Sequence, residues 1–427
     1  MFASAPCQIE IGPSVHAAAF AQLTMPILSS SPRHLADRQS PADALDLGAL
    51  PTPDLRLRRQ RAIALARAIH GPVDALILCD PLDIHYLSGT RHGISWLVLL
   101  EGAAFAISRH MLVSEVRAEA VSCEVLLASA RSTERPELEQ FVIAEVVKRG
   151  LTHVVVDTAK LSAQSYLRLT ERSRSAGIHL RDFPDCLASL RAVKDPSEIA
   201  LTRRCVQIAE QAFSELIGQG ASALLGRSER DLSEELEARM WALGADRQGF
   251  PETGIIVASG PNSACPHHSP GPRRVAAGES LLFDWGAEFA GYRSDITRTV
   301  FPGSVPEFAR QAYPIVEQAL LRAAAQLRPG ALMGDVDRAA RDTIIDAGYP
   351  EFHYGVGHGL GLAIHEAPWL RADADDCCQV DMLTTIEPGI YLPSIGGIRI
   401  ENVYRVSQGG NECLGELPTA LETMILG

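Results

Sequence analysis

Lysine is nearly absent from this sequence. Of the 39 basic residues in 427, three are lysines (Lys148, Lys160 and Lys194), and the others are arginines scattered through every segment. Acidic residues number 52, so the formal net charge is −13 and the pI is about 5.5. Proteins that bind nucleic acids usually carry clustered basic residues. The charge pattern therefore predicts no nucleic-acid partner.

Long apolar runs are also missing. The longest one, at residues 96–107, is interrupted by Glu101 and Gly102, whereas a membrane-spanning helix needs about 20 consecutive apolar residues. We interpret that run as two buried strands joined by a turn, and we predict no contact with a membrane. The amino terminus has no positively charged segment and carries Glu10 early, so it does not resemble a secretory signal.

The cysteines do not form the pattern of a disulfide framework. They number nine, which is odd, and none of them forms a Cys-x-x-Cys pair. Small secreted domains held together by disulfides usually contain an even number of cysteines. These features favour a reducing compartment, and we predict a cytoplasmic protein.

The length of the chain favours two domains, because a single hydrophobic core rarely extends beyond about 300 residues. Residues 1–50 are rich in Pro, Ser and Ala without a sustained period, which predicts a flexible leader. From Leu55 to Leu187 strand and helix patterns alternate, which is typical of an α/β domain. We therefore predict a first domain at residues 51–187 and a second at residues 188–427.

The second domain begins with a helix-start signal. Asp195, Pro196 and Glu198 occupy the N-cap, N1 and N3 positions of a capping box. The rest of the domain shows a weak internal repeat. Helical residues 228–245 precede strands with two aspartates, and helical residues 333–349 precede strands with two glutamates. This repeat predicts two related α/β units packed face to face.

Two aspartates lie in the first strand pair. Residues 280–300 contain bulky apolar residues on both sides of a "FAG" segment, which predicts a hairpin. With the turn at residues 289 and 290, Asp284 lies opposite Asp295, where the Cβ atoms of facing residues are about 4.5–5.5 Å apart. Two carboxylates at that distance repel each other, so either one is protonated or a cation lies between them.

Two glutamates lie in the second strand pair, residues 384–406. Centring the loop on Ser394 places Glu387 opposite Glu401. Acidic residues of a single hairpin are more often solvated, but here apolar neighbours flank the carboxylates and the pattern recurs. Because four converging carboxylates cannot all share protons at neutral pH, the two hairpins predict more than one divalent metal ion.

A glycine-rich stretch places His358 between Gly357 and Gly359. An isolated motif of this kind is more often a turn whose histidine is hydrogen-bonded. In combination with the carboxylates, however, one imidazole favours manganese, cobalt, iron or zinc over calcium or magnesium. His365, seven residues later, remains available for another function.

Five motifs stand in the order seen in the pita-bread metallopeptidases, which the sequence resembles: "IIVASGPNSACPHH", "DWGAEFAGYRSDITRTV", "GVGHGLGLAIHEAP", "TIEPGIYLP" and "GGIRIEN". The resemblance covers residues 186–425 and points to the branch of aminopeptidase P and prolidase. The segment "DPLDIHYLSG" at residues 80–89 is similar to the creatinase-like domain of those peptidases. An α/β (α+β) fold is therefore implied, in which a creatinase-like amino-terminal α/β domain precedes a pita-bread catalytic domain with a pseudo-twofold repeat.

The resemblance also implies a site. Two divalent metal ions, manganese first and cobalt, zinc or iron as alternatives, are expected on five ligands: Asp284, Asp295, His358, Glu387 and Glu401. In this scheme Asp295 and Glu401 bridge the ions. Asp284 completes the ligand set of one ion, and His358 and Glu387 complete that of the other.

Three further residues resemble catalytic residues of the family. His365 is similar to the histidine that stabilises the tetrahedral intermediate, and His267 to the one that contacts the substrate and assists the leaving nitrogen. Arg399 matches an arginine typical of the proline-directed branch.

The implied activity is hydrolysis of the peptide bond before proline by a metal-bridging hydroxide. Proline-containing peptides are the expected substrates, with aminopeptidase P slightly favoured over prolidase. A homodimer is expected because relatives often dimerise.

Two alternative functions remain: a creatinase-like hydrolase of small non-peptide amides, and a catalytically silent pita-bread binding module. Tyr354 and Asn402 depart from the family pattern, where histidine and aspartate are frequent, and this leaves substrate choice open.

Overall fold

The computed structural model describes residues 50–109, 111–128 and 137–427, so the predicted leader lies outside these ranges except for Leu50. The described residues form ten α-helices: α1 (Leu55–His70), α2 (Pro81–Ser88), α3 (Val113–Glu119), α4 (Leu138–Lys148), α5 (Ala163–Ser175), α6 (Ala188–Ala192), α7 (Pro196–Ile217), α8 (Glu229–Ala242), α9 (Glu307–Gln326) and α10 (Met333–Asp346). They also form twenty β-strands: β1 (Ala75–Leu78), β2 (Ile94–Leu100), β3 (Ala103–Ser108), β4 (Glu124–Leu127), β5 (His153–Val156), β6 (His179–Asp182), β7 (Arg247–Gln248), β8 (Ile256–Ser259), β9 (Leu281–Trp285), β10 (Ala287–Phe289), β11 (Tyr292–Arg293), β12 (Ile296–Pro302), β13 (Gly357–Gly359), β14 (Glu366–Leu370), β15 (Leu383–Ile386), β16 (Gly389–Leu392), β17 (Gly396–Arg399), β18 (Asn402–Ser407), β19 (Gly410–Cys413) and β20 (Ile425–Leu426). Within these ranges, no helix combines the length and the apolar character that crossing a membrane requires.

The amino-terminal domain is built around one six-stranded sheet with the strand order β4-β3-β2-β1-β5-β6. Strands β1, β5 and β6 run parallel, whereas β2 is antiparallel to both β1 and β3. Strands β2 and β3 are the two strands predicted from residues 96–107, joined by a turn at Glu101 and Gly102. The predicted domain boundary, after residue 187, falls where α6 begins; it stays a prediction.

Helix α7 begins at the predicted capping box. Oδ1 of Asp195 accepts the backbone N–H groups of Ser197 at 2.9 Å and Glu198 at 3.1 Å. The Glu198 carboxylate accepts the backbone N–H of Asp195 at 3.0 Å. Pro196 occupies the first helical position, where its missing N–H costs no hydrogen bond. The capping residues therefore fix where the helix starts.

Within the described residues, four further sheets lie in the second predicted domain: β11-β10-β7, β20-β12-β9-β8, β14-β13-β15-β18-β19 and β16-β17. Each half of the domain supplies two helices, α7 and α8 or α9 and α10, before the strands that carry its acidic residues. This order is the predicted repeat. Trp285 on β9 ties a sheet to α7, because its ring stacks on Phe213 at 4.3 Å and its Nε1–H donates to the Ala209 carbonyl oxygen at 2.9 Å.

The register predicted for the first hairpin is wrong. Asp284 on β9 pairs with Thr297 on β12 and not with Asp295, because the turn consists of Ala290 and Gly291. These two residues have φ angles of 52° and 86°, as a two-residue type I′ turn requires. The facing residue thus moves by two positions. Since such a shift preserves the face of the sheet, Asp284 and Asp295 still line one cavity.

The second hairpin has the predicted register. The pairs between β15 and β18 and those between β16 and β17 both follow a register centred on Ser394. Glu387 and Glu401 therefore fall at facing positions between these two sets of pairs. The two glutamates approach each other as predicted because the same register continues on both sides of them.

Arg58 on α1 links the amino-terminal domain to α7. Its Nε donates to Oδ2 of Asp195 at 2.8 Å, and its Nη1 donates to the carbonyl oxygen of Tyr86 at 3.0 Å. The guanidinium also lies 4.3 Å from the centre of the Tyr86 ring. Because only 5% of the Arg58 side chain is exposed, these contacts replace nearly all of its interactions with water.

Replacing Arg58 with Met should lower the free energy of unfolding by about 2–3 kcal/mol, because the carboxylate of Asp195 loses a charged, mostly buried partner. The control is Arg67→Met, since the side chains of Arg67 and its partner Glu101 are 39% and 79% exposed. The control should lose about 1 kcal/mol or less. Chemical denaturation followed by circular dichroism measures both changes, and equal losses would contradict this view of Arg58.

Candidate metal centre

The five predicted metal ligands lie on or beside the strands of the two hairpins and of β13: Asp284 (on β9), Asp295 (before β12), His358 (in β13), Glu387 (between β15 and β16) and Glu401 (between β17 and β18). The two hairpins meet where the backbone N–H of Glu401 donates to the carbonyl oxygen of Thr297 at 3.1 Å. This contact brings the aspartates of the first half of the domain to the glutamates of the second half.

The side chains of the five residues converge on one cavity. Nε2 of His358 lies 3.5 Å from Oδ2 of Asp295 and 3.4 Å from Oε1 of Glu387. Possible ligand atoms of Asp295, His358 and Glu401 all lie within 4.8 Å of one another, and Asp284 lines the same cavity. Four of the five residues are buried, and 17% of the Glu387 side chain is exposed.

Burial and mutual repulsion disfavour the ionised carboxylates. Burial raises the pKa of Asp295 well above its ordinary value, and the charges of Glu401 and Asp284 raise it further. The pKa of Glu401 is also raised well above its ordinary value, first by burial and then by Glu387 and Asp284. Cations at this position would favour the ionised forms and so relieve the repulsion.

Two carboxylate oxygens of the cluster are fully buried and have no hydrogen-bond donor among the described residues: Oδ1 of Asp284 and Oε1 of Glu401. A buried acceptor without a partner costs free energy comparable to a lost hydrogen bond. Carboxylates together with one imidazole form a ligand set that first-row divalent metals accept. The cluster therefore fits divalent metal ions, which would also satisfy the two unpaired oxygens.

Arg399 lies beside the cluster and orients two of its carboxylates. Its Nη2 donates to Oδ2 of Asp284 at 2.6 Å, and its Nε donates to Oγ1 of Thr297 at 3.1 Å. Oγ1 of Thr297 in turn donates to Oε2 of Glu401 at 2.7 Å. Burial alone would lower the pKa of Arg399, but Tyr391 and Asp284 raise it well above its ordinary value. The guanidinium therefore stays charged.

Thr297 and Tyr391 were not among the site residues predicted from the sequence. Thr297 lies two residues after Asp295, and this spacing could have identified it, because alternate residues of a strand share a face. Oη of Tyr391 accepts Nη1–H of Arg399 and contacts Oη of Tyr354, both at 2.7 Å. The Tyr354 contact spans 37 residues, so no local pattern marks it. Tyr354, a departure from the family pattern, thus belongs to a hydrogen-bonded chain that ends at Arg399.

Both predicted catalytic histidines line the cavity. His267 and His365 face both this inner cavity and an adjoining outer cavity of about 560 Å³, which Tyr354 and Arg371 also line. The rings of His358 and His365 are 4.4 Å apart. Partial burial and the neighbouring His358 lower the pKa of His365 to about 4. Its imidazole is therefore neutral at neutral pH and can donate one hydrogen bond.

Two family models match the chain. Residues 200–408 match the model described as Metallopeptidase family M24, and residues 58–193 match the model described as Creatinase/Prolidase N-terminal domain. The first match contains all five residues of the donor cluster, and the second contains the six-stranded sheet. Both parts of the family resemblance seen in the sequence are thereby confirmed.

Individual relatives match over most of their length. The Xaa-Pro dipeptidase of Pyrococcus furiosus is 30% identical over 339 residues, which are 79% of this chain and 92% of that protein. The structure of a Xaa-Pro dipeptidase from Bacillus anthracis matches with a TM-score of 0.78 and 30% identity, over 86% of this chain and 100% of that one. An X-Pro aminopeptidase from Thermotoga maritima MSB8 matches with a TM-score of 0.76 and 27% identity, over 86% of this chain and 99% of that one. We conclude that this chain belongs to metallopeptidase family M24 and is itself a metallopeptidase.

Proposed function

We propose that this protein is a dinuclear metal-dependent Xaa-Pro peptidase, which hydrolyses the peptide bond preceding proline. One observation carries the proposal: the inner cavity is lined by the four carboxylates and the one imidazole of the cluster, and also by Glu252 and two further histidines. This combination offers ligands for divalent cations together with groups that can act on a bound carbonyl. Relatives described as Xaa-Pro dipeptidases and as an X-Pro aminopeptidase support the proline preference.

The five ligands would be shared between two ions. Asp284, with Asp295 and Glu401, would hold the first ion, and His358 and Glu387, with the same two carboxylates, would hold the second. The distances of 3.5 Å and 3.4 Å from Nε2 of His358 to Asp295 and Glu387 support a common ion for these three residues. Manganese is the first choice, with cobalt, zinc or iron as alternatives, because carboxylates with one imidazole suit these metals.

The residues around the cluster would each contribute to catalysis. When bound, two divalent ions supply a water molecule of lowered pKa as nucleophile and polarise the scissile carbonyl group. The neutral imidazole of His365 donates a hydrogen bond to the carbonyl oxygen as that oxygen becomes negative. His267 contacts the substrate beside the leaving nitrogen, and Arg399 holds the carboxylate of Asp284 while lining the outer cavity.

Xaa-Pro dipeptides are the substrates that we propose first. The sequence alone slightly favours aminopeptidase P, but the Pyrococcus furiosus and Bacillus anthracis relatives are both described as Xaa-Pro dipeptidases. Longer Xaa-Pro peptides are the second choice, because the outer cavity of about 560 Å³ has room for residues that follow proline.

The two other functions have less support. A creatinase-like hydrolase of small non-peptide amides and a silent binding module can both work without metal. Neither function therefore requires five metal-ligand residues to line one cavity, as they do here.

We also propose that the protein is a cytoplasmic homodimer. The eight cysteines within the described residues are all free thiols, as is usual in a reducing compartment.

The proposal of a homodimer rests on the family resemblance, and analytical ultracentrifugation would test it.

Restoring Mn²⁺ to the metal-stripped protein should restore cleavage of Xaa-Pro dipeptides, because the cavity carboxylates then regain the cations that activate water. The assay compares Xaa-Pro dipeptides, Xaa-Pro-Yaa peptides and Xaa-Ala peptides, with proline release or amine release as the measurement. Dipeptides are expected to be cleaved fastest. Faster cleavage of the longer peptides would select aminopeptidase P, and no metal-dependent cleavage of any proline peptide would refute the proposed function.

The substitution Glu401→Gln should lower kcat by at least about 10³-fold, because a bridging carboxylate contributes several kcal/mol to charge stabilisation through the ions it holds. A dinuclear site should bind about two equivalents of metal, and elemental analysis should find less metal than this in the variant. Glu412→Gln is the control, since Glu412 on β19 pairs with Arg203 and Arg405 outside the cavity. Full metal content in the Glu401 variant would contradict the ligand assignment.

Mn²⁺ should stabilise the metal-stripped protein against heat, because it relieves the repulsion between Asp295 and Glu401. At about 100 times the dissociation constant, the expected gain is about 2.7 kcal/mol, which calorimetry would detect as a higher Tm. Removing one of the two carboxylates with Glu401→Gln should reduce the gain. The same rise in Tm for both proteins would place the stabilising ion elsewhere.

A further inference from the structure

Lys194 lies between α6 and α7 and is entirely buried, with 0% of its side chain exposed. Its Nζ donates to Oε1 of Glu366 at 2.7 Å and also to the carbonyl oxygen of Arg191. An ammonium group loses its hydration when it is buried, and this is tolerated only where charged or polar partners replace the water. Glu366 is therefore the residue that allows Lys194 to be buried here.

Glu366 has two other partners. Oε2 of Glu366 accepts a hydrogen bond from Nη2 of Arg191, and it accepts the backbone N–H of Ala363 at 3.1 Å. Burial alone would raise the pKa of Glu366, but Lys194 and Arg191 outweigh burial and lower it. Glu366 is therefore an ionised anchor held by two cations and by one backbone group of the loop that precedes it.

The loop held by Glu366 carries His365. Residues 360–365 connect β13, which contains His358, to β14, which begins with Glu366. At Gly361 this loop approaches the anchor so closely that a Cβ atom would lie 2.7 Å from Oε1 of Glu366 and 3.2 Å from Cε of Lys194. The carboxylate thus holds the loop at Ala363 and leaves no room for a side chain at Gly361. The ring of His365, the last residue of the loop, lies 4.4 Å from that of His358.

The anchor also reaches the amino-terminal domain. Nη1 of Arg191 donates to Oδ1 of Asp83 on α2 at 2.9 Å. The side chains of Arg191 and Asp83 are only 12% and 7% exposed, so water competes little for this contact. A continuous chain of ionic contacts therefore runs from Asp83 through Arg191 to Glu366, the residue next to His365.

We propose that Lys194 and Arg191 are positioning residues for the metallopeptidase reaction: by holding Glu366, they fix the loop that presents His365 to the metal cavity. Through Asp83, the amino-terminal domain contributes to the geometry of the site. This inference rests on the proposed function, since it assumes that His365 acts on the substrate.

A double-mutant cycle tests whether Lys194 acts through His365. Lys194→Met should lower kcat by about 10- to 100-fold, the loss expected when a catalytic group is displaced by about 1 Å, and KM should change much less. In the background of His365→Ala, the same change should have almost no further effect on kcat, because residues that act as a unit are non-additive. Additive losses, or an unchanged kcat for Lys194→Met, would overturn the proposal.

Arg58→Met is the control for a general effect of the domain contact. Arg58 is also a buried cation that joins the amino-terminal domain to the start of α7. Its partners, however, are Asp195, Tyr86, Ser197 and Glu198 and do not include Glu366. This variant should lose stability while keeping its kcat and KM. A loss of kcat equal to that of Lys194→Met would reduce Lys194 to a structural role.

A second variant covers the case in which Lys194→Met does not fold. Glu366→Gln keeps the shape of the side chain and an oxygen that can accept the Ala363 N–H, but it removes the charge that Lys194 and Arg191 hold. It should lower kcat in the same range, about 10- to 100-fold, and again show no additional loss with His365→Ala. Unchanged kcat in Glu366→Gln would equally overturn the proposal.

Hydrogen–deuterium exchange separates this inference from the proposed function. The backbone amides of residues 359–366 should exchange faster in Lys194→Met and Glu366→Gln than in the wild-type protein or in Arg58→Met. If the wild-type protein cleaves no proline peptide but the loop exchanges faster in those variants, the proposed function fails and Glu366 still positions the loop. If exchange in this loop is unchanged, the positioning role is refuted whatever the substrate is.

Discussion

Like charges forced together in a buried place are the constraint on which the rest of this structure depends. Possible ligand atoms of Asp295, His358 and Glu401 lie within 4.8 Å of one another, and burial raises the pKa values of both carboxyl groups. Isolated ionised carboxylates are costly to bury, and the cost falls only when cations or hydrogen-bond donors face them. The protein tolerates this arrangement because the strands that hold these residues are themselves anchored, by pairing on both sides of the glutamates and by the packing of Trp285 on α7.

The residues around the cluster fall into two groups: some hydrogen-bond its carboxylates, and others hold the loop that carries His365. Arg399 and Thr297 each bind one oxygen of a carboxylate and leave Oδ1 of Asp284 and Oε1 of Glu401 without a donor among the described residues. These hydrogen bonds orient the two carboxylates but do not fully neutralise their negative charge. On the other side of the site, Glu366 and its two cations hold the loop that carries His365. The fold thereby fixes its charged groups through partners that are distant in sequence, which favours preorganisation over adjustment when the substrate binds.

Features that neighbouring residues determine were mostly predicted from the sequence, whereas contacts between distant residues were not. The capping box at Asp195 and the register centred on Ser394 were predicted correctly, because short-range chemistry decides a helix start and a symmetric loop. The first hairpin was misjudged, because the turn at Ala290 and Gly291 adopts positive φ angles, and only one of these two residues is glycine. The Lys194–Glu366 contact spans 172 residues, and no local pattern reveals it. Acidic residues with apolar neighbours on both hairpins were nevertheless enough to indicate a site that fits divalent metal ions.

The central claim is that paired cations neutralise the converging carboxylates of the two hairpins. The most direct test is anomalous X-ray diffraction, at the manganese absorption edge, from crystals of the protein prepared with Mn²⁺. Our account predicts two anomalous peaks about 3.5–4 Å apart, the spacing of two-metal sites, with Asp295 and Glu401 in contact with both. A map with no peak among Asp284, Asp295, His358, Glu387 and Glu401 would contradict it.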